Sequence, residues 1–401
     1  MKILVQKFGG TSVSTKERRK LVVNKIKDAI NNGYSPVVVV SAMGRCGEPY
    51  ATDTLLSLLS TEFKQKDKAA CDLLLSCGES ISTAVMCNEL YDNNIPAQPL
   101  MGFQAGIITD NKYGGANLIG TDNKLLLKLV NDGIVPVVAG FQGISEEGFI
   151  STLGRGGSDV TASILGVSLA ADGIEIYTDV DGIMTADPRI VQDASLIDEL
   201  DYNEVFQFAE QGAKVIHPRA VEIAMKGNIP IIIKNTLNSC TGTKVKNSVK
   251  ESNKIITGIT HMADRVRVKI IRNGNSDKYT SIFKILGDNG ISIDLINVFP
   301  DHNVFTLVFT IGNQDLIKFT DLMESINIKY DLIEDCSKIA VIGSGMRGIP
   351  GVMARILVSL GRENIEVLQT SDSYSTIWCL VNGEDTKKAI LSLHKEFNLG
   401  A

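Results

Sequence analysis

No stretch of the 401 residues approaches the roughly 18 consecutive apolar residues of a membrane span. The opening MKILVQKFGG holds only three apolar residues between Lys2 and Gln6, so no secretory leader is expected. There is no CxxC pair. The seven cysteines (46, 71, 77, 87, 240, 336, 379) are scattered, and the four histidines do not gather near them. That argues against structural zinc and for reduced thiols in a cytoplasmic protein. An excess of basic charge is also missing. Forty Lys and Arg stand against 46 Asp and Glu, a net charge of -6, and the pI is about 5.4. Nucleic acid and membrane surfaces are therefore not expected partners. What is present, 44% hydrophobic and 21% charged residues, is the composition of a globular chain. Its length exceeds one ordinary core and predicts two or three domains.

The first 245 residues alternate strand and helix signals. Ile3 to Gln6 reads as a strand, followed by two glycines and a helix from about Lys16. Ser14 and Glu17 have capping-box spacing, and Leu21, Val22, Ile26, Ala29 and Ile30 form an apolar stripe. VVVVSA (37–42) suits a strand buried on both faces; VPVVAG (135–140), IEIYTDV (174–180) and PIIIKN (230–235) follow. This pattern predicts an α/β domain with a mostly parallel sheet over 1–245. The polar, basic KVKNSVKESNK (244–254) marks a boundary. Beyond it the order of strand, helix, strand, strand occurs twice, over 255–331 and 332–401, with a strand drawn from 246–264 shared between the copies. SIFKILGDNGISIDLINV and VMARILVSLGRENIEVLQT are one phrase written twice, predicting two small α+β units. In detail, 281–290 reads as helix and 365–371 as strand.

Four segments carry chemistry. KFGGTS (7–12) lies where a buried strand gives way to a helix; its glycines let backbone N–H groups approach an anion, and its lysine adds positive charge. No GK[ST] occurs, so this is not a Walker A loop. LGRGGSDVTASIL (153–165) is a second glycine-rich, cationic loop before a helix, with Ser158 or Asp159 near the N-cap and Arg155 offering a fork for carboxylate or phosphate. YTDVDGIMTADPR (177–189) has acids for Mg²⁺ or lysines and Arg189 for a phosphate, though Asp-Gly and Asp-Pro are also ordinary turn chemistry. GAKVIHP (212–218) adds Lys214.

Together KFGGTSV, SAMG (41–44), TDTLL (52–56), CGE (77–79), GFQG (140–143), LGRGGSDVTA, YTDVDGIMTADPR and GAKVIHP resemble the aspartokinase family over essentially the whole chain. The resemblance implies the amino-acid-kinase (carbamate-kinase-like) fold, a mostly parallel sheet with helices on both faces, followed by two ferredoxin-like ACT domains. It implies transfer of the γ-phosphoryl group of MgATP to the side-chain carboxylate of L-aspartate, the first step toward lysine and diaminopimelate, threonine and methionine. Carried residue by residue, it places Lys7, Phe8, Gly9, Gly10, Ser41, Thr178, Asp179, Met184, Arg189 and Lys214 at ATP, with Met184 near the adenine, where many relatives carry Tyr or another residue. It places Thr52, Glu79, Arg155 and Ser158 at aspartate, Glu79 facing its ammonium and Arg155 a carboxylate. Lys7, Asp159 and Lys214 become the catalytic set, with Asp159 orienting the lysines. No protein ligand for the metal is singled out. Asn275, Lys278, Ile293 and Asp294 would take an amino-acid effector: lysine, meso-diaminopimelate or threonine. Sheet edges in the ACT units predict pairing between chains, hence a homodimer or larger even assembly.

Two other readings compete. GSGMRG (343–348) is a literal GxGxxG after a strand, but only about fifty residues follow it, too few for a dinucleotide-binding half, and they repeat the 255–331 unit. A non-catalytic amino-acid sensor with a dead kinase domain would have lost Lys7, Asp159 or Lys214, and all three are present.

Overall fold

The computed structural model describes residues 1–213, 215–247, 255–273, 276–301, 304–346 and 348–400; of 276–279 and 300–301 only the backbone is described. The chain forms two bodies. The first comprises Met1–Ile183, Leu196–Glu210 and Lys214–Lys250; the second comprises Met184–Ser195, Gln211–Ala213 and the C-terminal part from Glu251.

The first body is built on an eight-stranded sheet. From edge to edge its strands are Glu199–Leu200, Thr243–Val245, Ile231–Asn235, Gly173–Thr178, Lys2–Phe8, Tyr34–Val40, Val135–Ala139 and Ala97–Leu100. Neighbours run parallel except Thr243–Val245 against Ile231–Asn235. The β-branched runs fill the centre, as strands covered on both faces require. One face is sealed by helices Lys16–Asn31 and Lys68–Tyr91, through a core of Phe8, Val22, Val23, Ile26, Val38, Met86 and Leu90. On the other lies helix Gly157–Ser168, whose Gly166 lets Ile174 approach so closely that a Cβ would stand 2.5 Å from its Cδ1. The first helix is capped one residue later than the capping-box spacing predicts. Thr15 Oγ1 accepts from Arg18 N at 3.3 Å, while Ser14 Oγ donates to Thr11 O and closes the preceding turn. Lys68–Tyr91 is long and apolar enough to cross a membrane by composition, but it buries Asp72, Glu79 and Glu89 within this body.

Register brings the parallel strands to a common end. Phe8 lies between Val40 and Tyr177, Val40 beside Ala139, and Thr178 beside Asn235. The loops leaving Phe8, Val40, Ala139 and Thr178 therefore emerge together at the carboxyl end of the sheet, where α/β proteins place ligands.

The second body has an antiparallel six-stranded sheet in the order Ile293–Asp301, Val304–Gly312, Gly258–Asn273, Asp331–Ile342, Thr376–Asn382, Gln369–Asp372. Its two repeats keep separate cores, one around Phe305, Phe309 and Phe319, the other around Ile339, Ile356 and Leu393. Strand Gly258–Asn273 pairs in both repeats, bending at bulges near Met262 and Arg265. Two boundaries differ from the sequence pattern. The first helix of this body runs Ser276–Asp288, so it starts five residues before the helix expected at 281–290. The strand expected at 365–371 is Gln369–Asp372, because 363–365 close the preceding helix: Asn364 takes φ +55° and Ile365 N reaches Leu360 O. GSGMRG falls between a strand and helix Val352–Arg362 of the second repeat; Gly343 is glycine because a Cβ would sit 2.4 Å from Ile255 O.

Candidate functional site

At the carboxyl end of the sheet the loops are tied by main-chain bonds. Gly9 N donates to Tyr177 O (3.1 Å), Ser41 N to Phe8 O (3.1 Å) and Gly44 N to Gly10 O (3.1 Å). Gly10 must be glycine, since a Cβ would lie 2.5 Å from Ala42 O. Phe8 itself faces the core, stacked on Tyr177 at 4.8 Å, so only its backbone takes part in these loops.

Lys7, on the opposite face of its strand from Phe8, extends to the helix Gly157–Ser168. Its Nζ lies 2.7 Å from Asp159 Oδ1, and both side chains are largely buried. The other oxygen of Asp159 accepts from His217 N at 3.3 Å. Neither Ser158 nor Asp159 caps this helix, as the sequence pattern had suggested. The cap is Gly156 at φ +68°, and a Cβ there would run into the His217 ring at 2.5 Å. No side chain fills the cap, and the helix presents its positive end beside Lys7 and Ser158. Burial pushes the His217 imidazole down, and its Nδ1 accepts from Arg219 N, which suits a neutral ring.

Glu79 projects from the long helix against the Ser41–Gly44 loop. It is 3% exposed. Its Oε1 accepts from Ala42 N at 3.2 Å, and among the described residues Oε2 has no partner. Burial pushes its pKa up to about 8. An unpartnered carboxylate oxygen at such a site is matched by a cationic donor. Thr52 begins the short helix Thr52–Leu56 and is half-buried; Arg155 is exposed, at the crest of the glycine loop.

On the far side Thr178 Oγ1 donates to Asp179 Oδ1, and Asp179 is ion-paired with Arg45. Arg45 directly follows SAMG, and that adjacency was its only signal in the sequence. Asp181, one of the acids of 177–189, is held by amides: Asn238 and Asn235 both donate to its Oδ1, at 2.8 and 2.7 Å, holding its carboxyl below the usual range. Met184 and Arg189 belong to the second body. Met184 is half-buried, and Arg189 forks onto Asp187 at 2.7–3.2 Å. Lys214 and Asn275 lie outside the described residues, as does the side chain of Lys278. In the first repeat of the second body Asp294 is ion-paired with Lys338 of the second repeat, and Ile293 beside it is half-buried.

The first body thus gathers Lys7, a helix N-terminus, two tight glycine turns and an unpartnered buried carboxylate oxygen around the ends of the parallel strands. Cations and N–H groups suit phosphate oxygens; the carboxylate suits an ammonium.

The profile of the amino acid kinase family matches residues 2–235, and an ACT domain profile matches 331–395. Aspartokinase 1 of Bacillus subtilis is 43% identical over 410 aligned residues, with all of both chains covered. The aspartokinase of Geobacillus stearothermophilus is 36% identical, covering all of this chain and 98% of that protein. Among solved structures, Escherichia coli aspartokinase III in complex with aspartate and ADP superposes with a TM-score of 0.78 at 25% identity, covering 99% of this chain and 100% of that one. The same enzyme in complex with lysine and aspartate gives a TM-score of 0.75 at 26% identity, covering 98% of this chain and 99% of that one.

Proposed function

The chain belongs to the aspartokinase family, and from that premise we propose how its own residues divide the work. The reaction is transfer of the γ-phosphoryl group of ATP to the side-chain carboxylate of L-aspartate, giving 4-phospho-L-aspartate and ADP. A carboxylate oxygen forms a bond to γ-phosphorus as the bond to the β–γ bridging oxygen breaks. The nucleophile is already an anion, so no base is required. The barrier lies in bringing two anions into line, and preorganised positive charge lowers it.

Lys7 carries that charge toward the transferring group. Asp159, 2.7 Å away, holds the ammonium in place, and Lys214 adds a second cation. Gly9 and Gly10 bring main-chain N–H groups to the phosphates, Ser41, Thr178 and Asp179 border the nucleotide, and Met184 and Arg189 are further nucleotide residues. Aspartate takes Glu79 at its ammonium, Arg155 at a carboxylate, and Thr52 and Ser158 at its remaining oxygens. The observation that carries this assignment is the Oε2 of buried Glu79, unpartnered among the described residues, which calls for a cation.

ATP chemistry implies a divalent cation, which we take to be Mg²⁺. Among the described residues no group of three His, Cys, Asp or Glu stands ready for a metal. Asp181 is engaged by Asn235 and Asn238, and Asp179 by Arg45, which suits a cation carried in on the nucleotide. Bound there, it offsets charge on the phosphates.

The ACT repeats are regulatory. The effector is an amino acid, with lysine, threonine and meso-diaminopimelate as the candidates, bound around Asn275, Lys278, Ile293 and Asp294. The enzyme works in the cytoplasm as a homodimer or larger even assembly; a monomer in light scattering at micromolar concentration contradicts that. The test of the main reading is ADP release by purified protein. It should require aspartate, respond to at least one of the three effectors, and lose about 10²-fold or more in kcat with Lys7→Ala. ADP release indifferent to aspartate overturns the reading.

A further inference from the structure

Helix Lys68–Tyr91 carries a second buried carboxylate that the reaction does not use. Asp72 is 0% exposed and saturated with hydrogen bonds. Gly114 N donates to its Oδ2 at 2.9 Å and Oδ1 at 3.1 Å; Thr152 donates N to Oδ2 and Oγ1 to Oδ1, both at 2.8 Å. No cation contacts it among the described residues. Its donors come from the loop around Gly114 and from the end of strand Ile150–Thr152, and these two segments touch. Ala116 N donates to Thr152 O at 2.8 Å, and a Cβ on Gly154 would sit 3.3 Å from Gly115 Cα. On the other side Arg219 repeats the arrangement with opposite charge. Its Nη1 donates to Leu153 O at 3.1 Å and its Nη2 to Ala116 O at 3.0 Å. One carboxylate takes the N–H groups of 114 and 152; one guanidinium takes the carbonyls of 116 and 153.

The segment pinned in this way, 152–153, leads directly into Gly154 and Arg155. Gly154 has φ +78° and Gly156 φ +68°, so the turn has two residues in the left-handed region and is not fixed by regular secondary structure. We infer that Asp72, with Arg219, is a positioning residue for aspartate recognition. The two charges staple the 113–116 loop to the start of the 153–156 turn and so fix where Arg155 stands relative to Glu79, which rides on the same helix as Asp72. The inference rests on the reading that Arg155 and Glu79 bind aspartate. A carboxylate accepts at both oxygens. An asparagine carbonyl can replace Oδ2, but its amide nitrogen in the Oδ1 position faces Gly114 N, so Asp72→Asn sets donor against donor there and removes the charge.

The experiment measures both KM values in steady state for Asp72→Asn, Arg219→Lys, Thr152→Val, Thr152→Ser and Arg155→Ala. Asp72→Asn and Arg219→Lys should raise the aspartate KM about ten-fold, with the ATP KM within two-fold, because a loosened turn costs binding where Arg155 acts. Thr152→Val, which loses one of the donors, should move the same way by a smaller factor, and Thr152→Ser should restore wild-type values. If Asp72→Asn does not fold, the Thr152 pair decides. Variants that lower the melting temperature while leaving the KM ratio alone overturn the inference. If Arg155→Ala raises the aspartate KM and none of the others does, the staple is structural only. If Arg155→Ala leaves the aspartate KM unchanged, the site reading itself fails and the inference fails with it.

Discussion

Two buried carboxylates stand two turns apart on one helix, and they are opposites. Asp72 meets donors at both oxygens, from a loop and from a strand end; among the described residues Glu79 meets one N–H and leaves an oxygen bare. Burial pushes both up, but hydrogen bonds from Gly114 and Thr152 pull Asp72 back, whereas Glu79 is carried to about 8. A carboxylate whose lone pairs are all taken is finished and can only hold structure. One with a bare oxygen in a dry site carries an unmet cost of about 1–3 kcal/mol until a donor meets it. The contrast separates positioning from binding on one element, with nothing in the local sequence but DLLLSCGE to tell them apart.

The largest expected effect falls on the unsatisfied member. Glu79→Gln keeps the shape and removes the charge. Losing a charge-assisted bond to ammonium costs about 1.5–3 kcal/mol, so kcat/KM for aspartate should fall roughly 10- to 150-fold while the ATP KM holds. Equal losses for both substrates break the assignment.

pH sharpens the same point. With its pKa raised to about 8, Glu79 in the empty site is protonated at neutral pH, and aspartate must bind with loss of that proton. The aspartate KM should therefore rise about ten-fold per unit as pH falls below 8, with a flat ATP KM, and Glu79→Gln should flatten the aspartate profile. Stability runs the other way. The folded-state pKa lies above the ordinary 4.5, so the group's contribution is fully present below 4.5 and is lost as pH rises through about 8. The melting temperature of Glu79→Gln should lose less over that window than wild type. A wild-type aspartate KM that ignores pH between 7 and 8.5 contradicts the bare, buried carboxylate.

Much of this was legible in the chain, unevenly. The buried strands announce themselves because parallel strands covered on both faces need continuous β-branched runs, and VVVVSA supplies one. The doubled ACT phrase announces itself by repetition. Loop chemistry was legible as glycine plus cation, but its closures were not. The cap of the second loop is Gly156 in place of Ser158, because a glycine in the left-handed region beside His217 leaves no role for a side-chain cap. Asp72 was missed because hydrogen bonds to residues 42 and 80 positions away leave no periodic trace. The ion pair between Asp294 and Lys338 was missed for the same reason. Arg189 carried a signal as a phosphate ligand, yet it forks onto Asp187 two residues before it, a local contact that DPR spells plainly.

The smallest expected effect tests whether hydrogen bonds alone account for Asp72. Lys68 lies one turn before it on the same helix and is the cation whose charge bears on it, pulling its carboxyl slightly down. That lysine is exposed, and its field must act through water and salt. Exposed pairs of this kind are worth about 0.2–1 kcal/mol, whereas hydrogen bonds to a buried charged group are worth about 1.5–3 kcal/mol each. The bonds from Gly114 and Thr152 should therefore hold the carboxylate without Lys68. Lys68→Ala is expected to lower stability by under about 1 kcal/mol in urea denaturation, less still at high salt, and to leave the aspartate KM within two-fold. A several-fold rise in the aspartate KM in Lys68→Ala, reproduced by high salt in wild type, would mean that an ion pair and not the hydrogen-bond donors holds Asp72. The distinction between a saturated and an unsaturated carboxylate on this helix would then have to be redrawn as one between a paired and an unpaired charge.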